Sequence, residues 1–188
     1  MKKVNIFLIS IILLSAALIS GCQKGVLDDD TKPGTPGSPT SPTSVGGSMK
    51  FTSSGTAITY NSCLATDASA NGINQTLIMG LNITNNVGGS DSFEVDIIQS
   101  LSALKAGQVY PASTSFTQPN SMALFYYPNA TDEYVTQPAN AQGSVTITGV
   151  TSTTISGTFS GTLFASDDLN GTTVKATITD GTFTAKIN

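Results

Sequence analysis

Apolar and polar residues alternate along most of the chain, and the alternation is clearest near the C-terminus. From Ile155 to Leu163 every second residue is apolar or glycine, and the residues between them are serine or threonine. The same period of two continues over 174–178 and 182–187. Such alternation is typical of strands with one buried face. Asn170-Gly171 and Asp180-Gly181 separate the three segments and are typical of tight hairpin turns. The sequence therefore predicts a three-stranded antiparallel meander at the end of the chain.

Shorter segments of the same kind precede this meander, and all are rich in threonine, serine and β-branched or aromatic residues. They lie at 49–52, 56–65, 75–84, 92–99, 122–127 and 145–150. One short helical turn is predicted, over 101–105. About eight to ten short strands in one chain segment predict an all-β domain over 49–188, built as an antiparallel β-sandwich or flattened barrel around one core.

The first 22 residues contain a largely apolar run instead, broken only by Ser10 and Ser15. Lys2 and Lys3 precede an apolar run over 6–19, and Ser20-Gly21-Cys22 follows. The run has about 14 residues, whereas an uncleaved transmembrane helix, which is the alternative, needs ~20. A basic start, a short apolar run and small residues before a cysteine are typical of a lipoprotein signal peptide. The sequence predicts a signal peptide over 1–21 and a mature chain whose first residue, Cys22, carries the lipid.

The segment over 22–48 differs from both of its neighbours. Three aspartates stand at Asp28 to Asp30, and residues 33–44 consist only of proline, glycine, serine and threonine. A segment with no apolar side chains cannot bury enough surface to order itself. We therefore predict a disordered tether that reaches roughly 30 Å as a flexible coil and ~80 Å when extended.

The composition excludes several classes of function. The chain has eight lysines and no arginine or histidine, and removal of 1–21 leaves six lysines against twelve acidic residues, a net charge of −6. Nucleic acid is therefore not an expected partner, because phosphate binding needs clustered basic residues. Without histidine there is no imidazole base or metal ligand. With Cys22 acylated, Cys63 is the one remaining thiol, so an intramolecular disulfide is excluded.

A resemblance to a known group of proteins rests on the two ends of the domain. The segments Ile155-Ser156-Gly157-Thr158-Phe159 and Ile178 to Phe183, with an opening strand and turn over 51–56, are carried by a lipidated and tethered chain. Together they resemble small lipoproteins of unknown function from Bacteroidetes. The second residue of the mature chain is Gln23 and not aspartate, so the aspartate signal for retention in the inner membrane is missing and an outer-membrane location is expected. The resemblance implies a protein held at the cell surface and brings no catalytic residues. Asp28 to Asp30 are similar to the acidic export signal of such proteins, with solvated linker charge as the alternative.

Two carboxylates on one predicted strand are candidate catalytic groups. Glu94 and Asp96 alternate with three apolar residues over 93–97, and Asp91 begins the strand. A pair of carboxylates can act as acid and base in glycoside hydrolysis. The alternative is the polar outer face of a half-buried strand.

A second candidate is a calcium site in the turn that carries Asp167, Asp168 and Asn170. Calcium prefers oxygen ligands of this kind in extracellular domains. The sequence lacks the ligand spacing of an EF-hand loop. The alternative is that these residues form a turn only.

The third candidate is the densest aromatic stretch, which includes Tyr126, Tyr127 and Tyr134. Exposed tyrosines stack on sugars and anchor protein interfaces. The alternative is that the rings fill the core, and the absence of tryptophan weakens the carbohydrate interpretation.

The sequence as a whole predicts a membrane-anchored lipoprotein with a non-enzymatic binding or adhesion domain. The expected partners are the membrane, through Cys22, and a glycan or protein ligand. A carboxylate-dependent glycan hydrolase that uses Glu94 or another acid, and a purely structural component of the envelope, are the alternatives.

Overall fold

The alternating segments form strands in the computed structural model, which describes residues 46–70, 72–84 and 87–188. The predicted signal peptide, Cys22 and nearly all of the tether lie outside the described residues. The described part is all β, as predicted, with two short 3₁₀ helices at Leu101–Ala103 and Pro138–Asn140. Its strands are β1 Ser48–Ser53, β2 Thr56–Tyr60, β3 Ser62–Ala70, β4 Ile73–Thr84, β5 Val87–Ile97, β6 Val109–Pro111, β7 Met122–Tyr127, β8 Tyr134–Val135, β9 Gly143–Val150, β10 Thr154–Ala165 and β11 Val174–Ile187. Neither helix is long and apolar enough to cross a bilayer.

These strands form one sheet that partly closes into a ring. Their order is β2-β1-β11-β3-β4-β5-β7-β8-β10-β9-β6, and a further pairing between β10 and β11 closes the ring. Neighbouring strands are antiparallel except β11 and β3, which pair in parallel where Lys186 and Ile187 lie opposite Leu64 and Ala65. This parallel contact joins segments far apart in sequence, so no local turn signal could predict it.

The chain ends in a three-stranded meander, but its strands are β9, β10 and β11 rather than the predicted segments over 155–163, 174–178 and 182–187. Asp180-Gly181 does not form a hairpin turn, because β11 runs straight through it. Asp180 has φ 54°, and the register with β10 shifts between Phe159 and Gly161. A bulge and a tight turn both use residues with positive φ, so the dipeptide alone does not distinguish them. Asn170-Gly171 does lie in the loop between β10 and β11, as predicted.

Aromatic side chains fill the interior of the ring. The ring centroids of Phe51 and Phe93 are 4.5 Å apart, and those of Phe93 and Phe159 are 5.0 Å apart. Glycine makes room for such groups: a Cβ at Gly157 would lie 2.5 Å from the ring of Phe183. The inward face of the sheet is therefore closely packed, and functional chemistry must be sought on its outward face.

Candidate functional site

The two carboxylates that the sequence singled out lie at outward positions of β5, between β4 and β7. Glu94 lies opposite Met79 on β4 and Phe125 on β7. Asp96 lies in the next outward row, opposite Leu77 and Ala123. We call this surface, centred on Glu94 and Asp96, the acid face.

The acid face is buried. Glu94 is 1% exposed and Asp96 is 2% exposed. Apolar side chains continue the row of Glu94 across the sheet, because Phe125 lies opposite Val135 and Val135 lies opposite Phe164. All three of these residues are buried as well. The polar side of β5 is thus buried beside apolar neighbours in the sheet rather than solvated.

The buried carboxyls lack the partners that would stabilise their ionised forms. Glu94 Oε1, Asp96 Oδ1 and the amide nitrogen Nε2 of Gln75 have no hydrogen-bond partner. Burial raises the pKa of Glu94 to about 7, and the charge of Glu133 contributes to the rise. Burial also raises the pKa of Asp96 well above its ordinary value, with Glu94 as the second cause. An unpaired buried charge is costly, so both groups favour the protonated state.

Two further residues, which the sequence had not singled out as a pair, border the acid face. The hydroxyl of Tyr127 donates a hydrogen bond to Glu133 Oε1 at 3.2 Å. Burial raises the pKa of Tyr127, and the charges of Glu94 and Glu133 add to this effect. Asp91 lies near Tyr60 instead, and its charge adds to the effect of burial in raising the pKa of Tyr60. The structure therefore groups Glu94, Asp96 and Glu133.

The three candidate tyrosines are divided between the two sides of the sheet. Tyr126 points inward, is 9% exposed and packs edge-on against Tyr134, with ring centroids 6.1 Å apart. Tyr126 also packs edge-on against Phe51. Tyr127 lies on the acid face. They do not form a single exposed platform.

In the loop predicted to bind calcium, Asp168 binds backbone groups. Its carboxylate accepts hydrogen bonds from the backbone N–H of Thr172 at 2.9 Å and of Thr173 at 2.8 Å. The N–H of Thr173 is the largest of the causes that lower the pKa of Asp168. Asp167 and Asn170 are exposed beside it. Among the described residues no group of three His, Cys, Asp or Glu side chains could hold a metal ion. Calcium binding by this loop stays a prediction.

A shallow groove of about 360 Å³ lies on the outward side of β9, β10 and β11. Five hydroxyl side chains line it together with the carboxylate of Asp180, and we call this surface the hydroxyl face. The hydroxyl residues are Ser144, Thr146, Thr158, Ser160 and Thr182. Thr158 lies directly between Thr146 and Thr182 in the register. In the sequence, this face is indicated by the serines and threonines of β10, which alternate with apolar residues and glycine.

No protein-family model, curated protein or solved structure matches this chain. We therefore infer the chemistry of the β domain from its acid face and its hydroxyl face.

Proposed function

We propose that this chain is a lipid-anchored protein of the outer membrane whose β domain is a non-enzymatic binding module at the cell surface. The observation that carries the proposal is the apolar run that ends in Ser20-Gly21-Cys22, followed by a low-complexity spacer. The resemblance to surface lipoproteins of Bacteroidetes supports the same location. Cys63 does not compete as the acylated residue, because it is buried and burial raises the pKa of its thiol to about 12.

The hydroxyl face is the proposed binding surface, and a neutral glycan is the proposed ligand. Hydroxyl groups both donate and accept hydrogen bonds, as sugar hydroxyls do, and Asp180 adds a charged acceptor. Three strands spaced ~4.8 Å apart, with outward residues ~6.7 Å apart along each strand, match a short oligosaccharide in size. Because the groove is shallow and its aromatic residue, Phe159, is buried, we expect dissociation constants on the order of 1 mM.

The anchor is tested by labelling cells that express the chain with an alkyne-bearing fatty acid. The wild type and Cys63→Ala should incorporate the label and sediment with membranes, whereas Cys22→Ser should do neither. Cys63→Ala is the matched control because it removes the chain's other cysteine. Label retained by Cys22→Ser would contradict the proposal.

The location is tested by treating intact cells with a protease. The tether should be cut before the closely packed sheet, so that a fragment containing the β domain is released. If the domain stays protected until the outer membrane is opened, it faces the periplasm and the surface assignment is wrong.

The ligand class is tested by titrating a panel of neutral oligosaccharides into the purified full chain and following amide chemical shifts. Shifts should map to β9, β10 and β11, and Thr158→Val should weaken binding several-fold. Thr148→Val is the control, because Thr148 is exposed on β9 outside the groove. Shifts that map elsewhere, or equal binding by both variants, would contradict the proposal.

A glycan hydrolase that uses Glu94 is the second candidate, and the raised pKa of Glu94 is the observation in its favour. A general acid works best with a pKa near the working pH. Against it, a glycosidic oxygen cannot reach a carboxyl that is 1% exposed unless the acid face opens. Glycan cleavage by the wild type that is abolished in folded Glu94→Gln would support this candidate over the binding module.

A further inference from the structure

The groove on the hydroxyl face is longer across the strands than along them. Its lining comes from three neighbouring strands, β9, β10 and β11. One row of the lining consists of Thr146, Thr158 and Thr182, which lie opposite one another, and the next row includes Ser144 and Ser160. Three strands span ~9.6 Å, whereas two outward rows are only ~6.7 Å apart. A glycan in the groove therefore fits best with its chain across the strands.

The threonine row continues beyond the groove on one side. Thr182 of β11 lies opposite Lys50 of β1, and Lys50 lies opposite Thr59 of β2. Lys50 and Thr59 are exposed, and they alternate with Met49 and Tyr60, which are buried in the core. The row thus continues on the outward side across β2, β1, β11, β10 and β9, and its two ends are ~19 Å apart.

The chemistry of the row differs between its two ends. Beyond Thr146 the next residue in the row is Val109 of β6, which is apolar and 59% exposed. In the other direction the row adds the ammonium group of Lys50 and the hydroxyl of Thr59. An ammonium group donates up to three hydrogen bonds, and a hydroxyl group both donates and accepts. Sugar hydroxyls can therefore be bound beyond the groove towards β1 and β2, and not towards β6.

We infer that the ligand of the hydroxyl face is a linear glycan chain that lies across the strands and extends from the groove to Lys50 and Thr59. The inference rests on the proposed function and names the kind of neutral glycan that the face takes. A single terminal sugar would contact the groove alone. On an open surface each contact contributes little, so a longer chain binds more tightly by adding contacts along the row.

The test is a titration of the purified full chain with neutral linear oligosaccharides of one sugar type and increasing length, followed by amide chemical shifts. Short oligosaccharides should shift amides of β9, β10 and β11 only. Longer ones should also shift the amides of Lys50 and Thr59 and bind more tightly by about fivefold or more. If longer chains bind no more tightly, or if their additional shifts run along β10 instead, the inference is wrong and the proposed function stands. If no length shifts β9 to β11, both are wrong.

Two variants on β2 assign the gain to the row. Thr59→Val should weaken the binding of long oligosaccharides several-fold and leave that of short ones unchanged, because it removes one hydroxyl outside the groove. Thr56→Val is the matched control, since Thr56 is exposed on the same strand but on the opposite side from Thr59. An equal effect of the two variants, or unchanged binding of long chains by Thr59→Val, would overturn the inference.

Discussion

The acid face and the hydroxyl face occupy the same kind of position and have opposite surroundings. Both consist of outward residues that alternate, along their strands, with inward residues of the packed core. On β10 the outward Thr158 and Ser160 are exposed, as the alternation predicts. On β5 the outward Glu94 and Asp96 are buried. Alternation thus reports which residues share a face of a sheet, and it does not report whether that face is covered.

The neighbouring strands explain the difference. Strand β7 has the sequence MALFYY, so it is apolar at both its inward and its outward positions. A continuous apolar run is typical of a strand that is buried on both sides. Strand β10 places serine or threonine at each outward position from Ser156 to Thr162. Whether a polar residue is covered therefore depends on the strand beside it.

The largest expected difference between the faces is in the effect of truncating an outward side chain. Phe125→Ala on the acid face should lower the free energy of unfolding by about 3–5 kcal/mol, because it leaves a cavity. Thr158→Ala on the hydroxyl face should change it by no more than about 0.5 kcal/mol. Urea denaturation measures both values. Similar losses for the two variants would remove the distinction between the faces.

The next effect is a dependence of stability on pH, between pH 4.5 and about 7, that comes from Glu94 on the acid face. The folded chain keeps the proton of Glu94 up to pH about 7, while the unfolded chain releases it near its ordinary pKa of 4.5. The contribution of Glu94 to stability is therefore full below pH 4.5 and falls as the pH rises through this window, by on the order of 3 kcal/mol. Denaturation at several pH values should show this fall in the wild type and a much flatter curve in Glu94→Gln. A wild type that becomes more stable between pH 5 and pH 8 would contradict this expectation.

The smallest effect concerns packing beneath the hydroxyl face. A Cβ at Gly157 would meet both the Phe183 ring and the backbone oxygen of Thr146, at 2.5 and 2.6 Å. Gly157→Ala should therefore destabilise the domain by about 1–3 kcal/mol. Gly149→Ala in β9 is the matched control, because nothing lies within 4 Å of its new Cβ. If thermal unfolding gives the same midpoint for both variants, the sheet is less closely packed than described.

Local sequence patterns predicted most of the strands but not how the strands close into a ring. The alternation over 155–163 became β10, and the run over 75–84 lies within β4. The parallel contact of Lys186 with Leu64 has no local signal, because it depends on how the ring closes. The grouping of Glu133 with Glu94 was missed for the same reason. Glu94 lies on β5 and Glu133 in the connection between β7 and β8, and their proximity follows from the order of these three strands.

The most direct test of the central claim is the pKa of Glu94, measured from the carboxyl ¹³C shift of the isotopically labelled full chain as a function of pH. A buried carboxyl beside Glu133, with no basic side chain opposite it on the described strands β4 and β7, should titrate near pH 7. A midpoint near 4.5, the ordinary value, would mean that Glu94 is solvated or paired with a cation, and the acid face as described would be wrong.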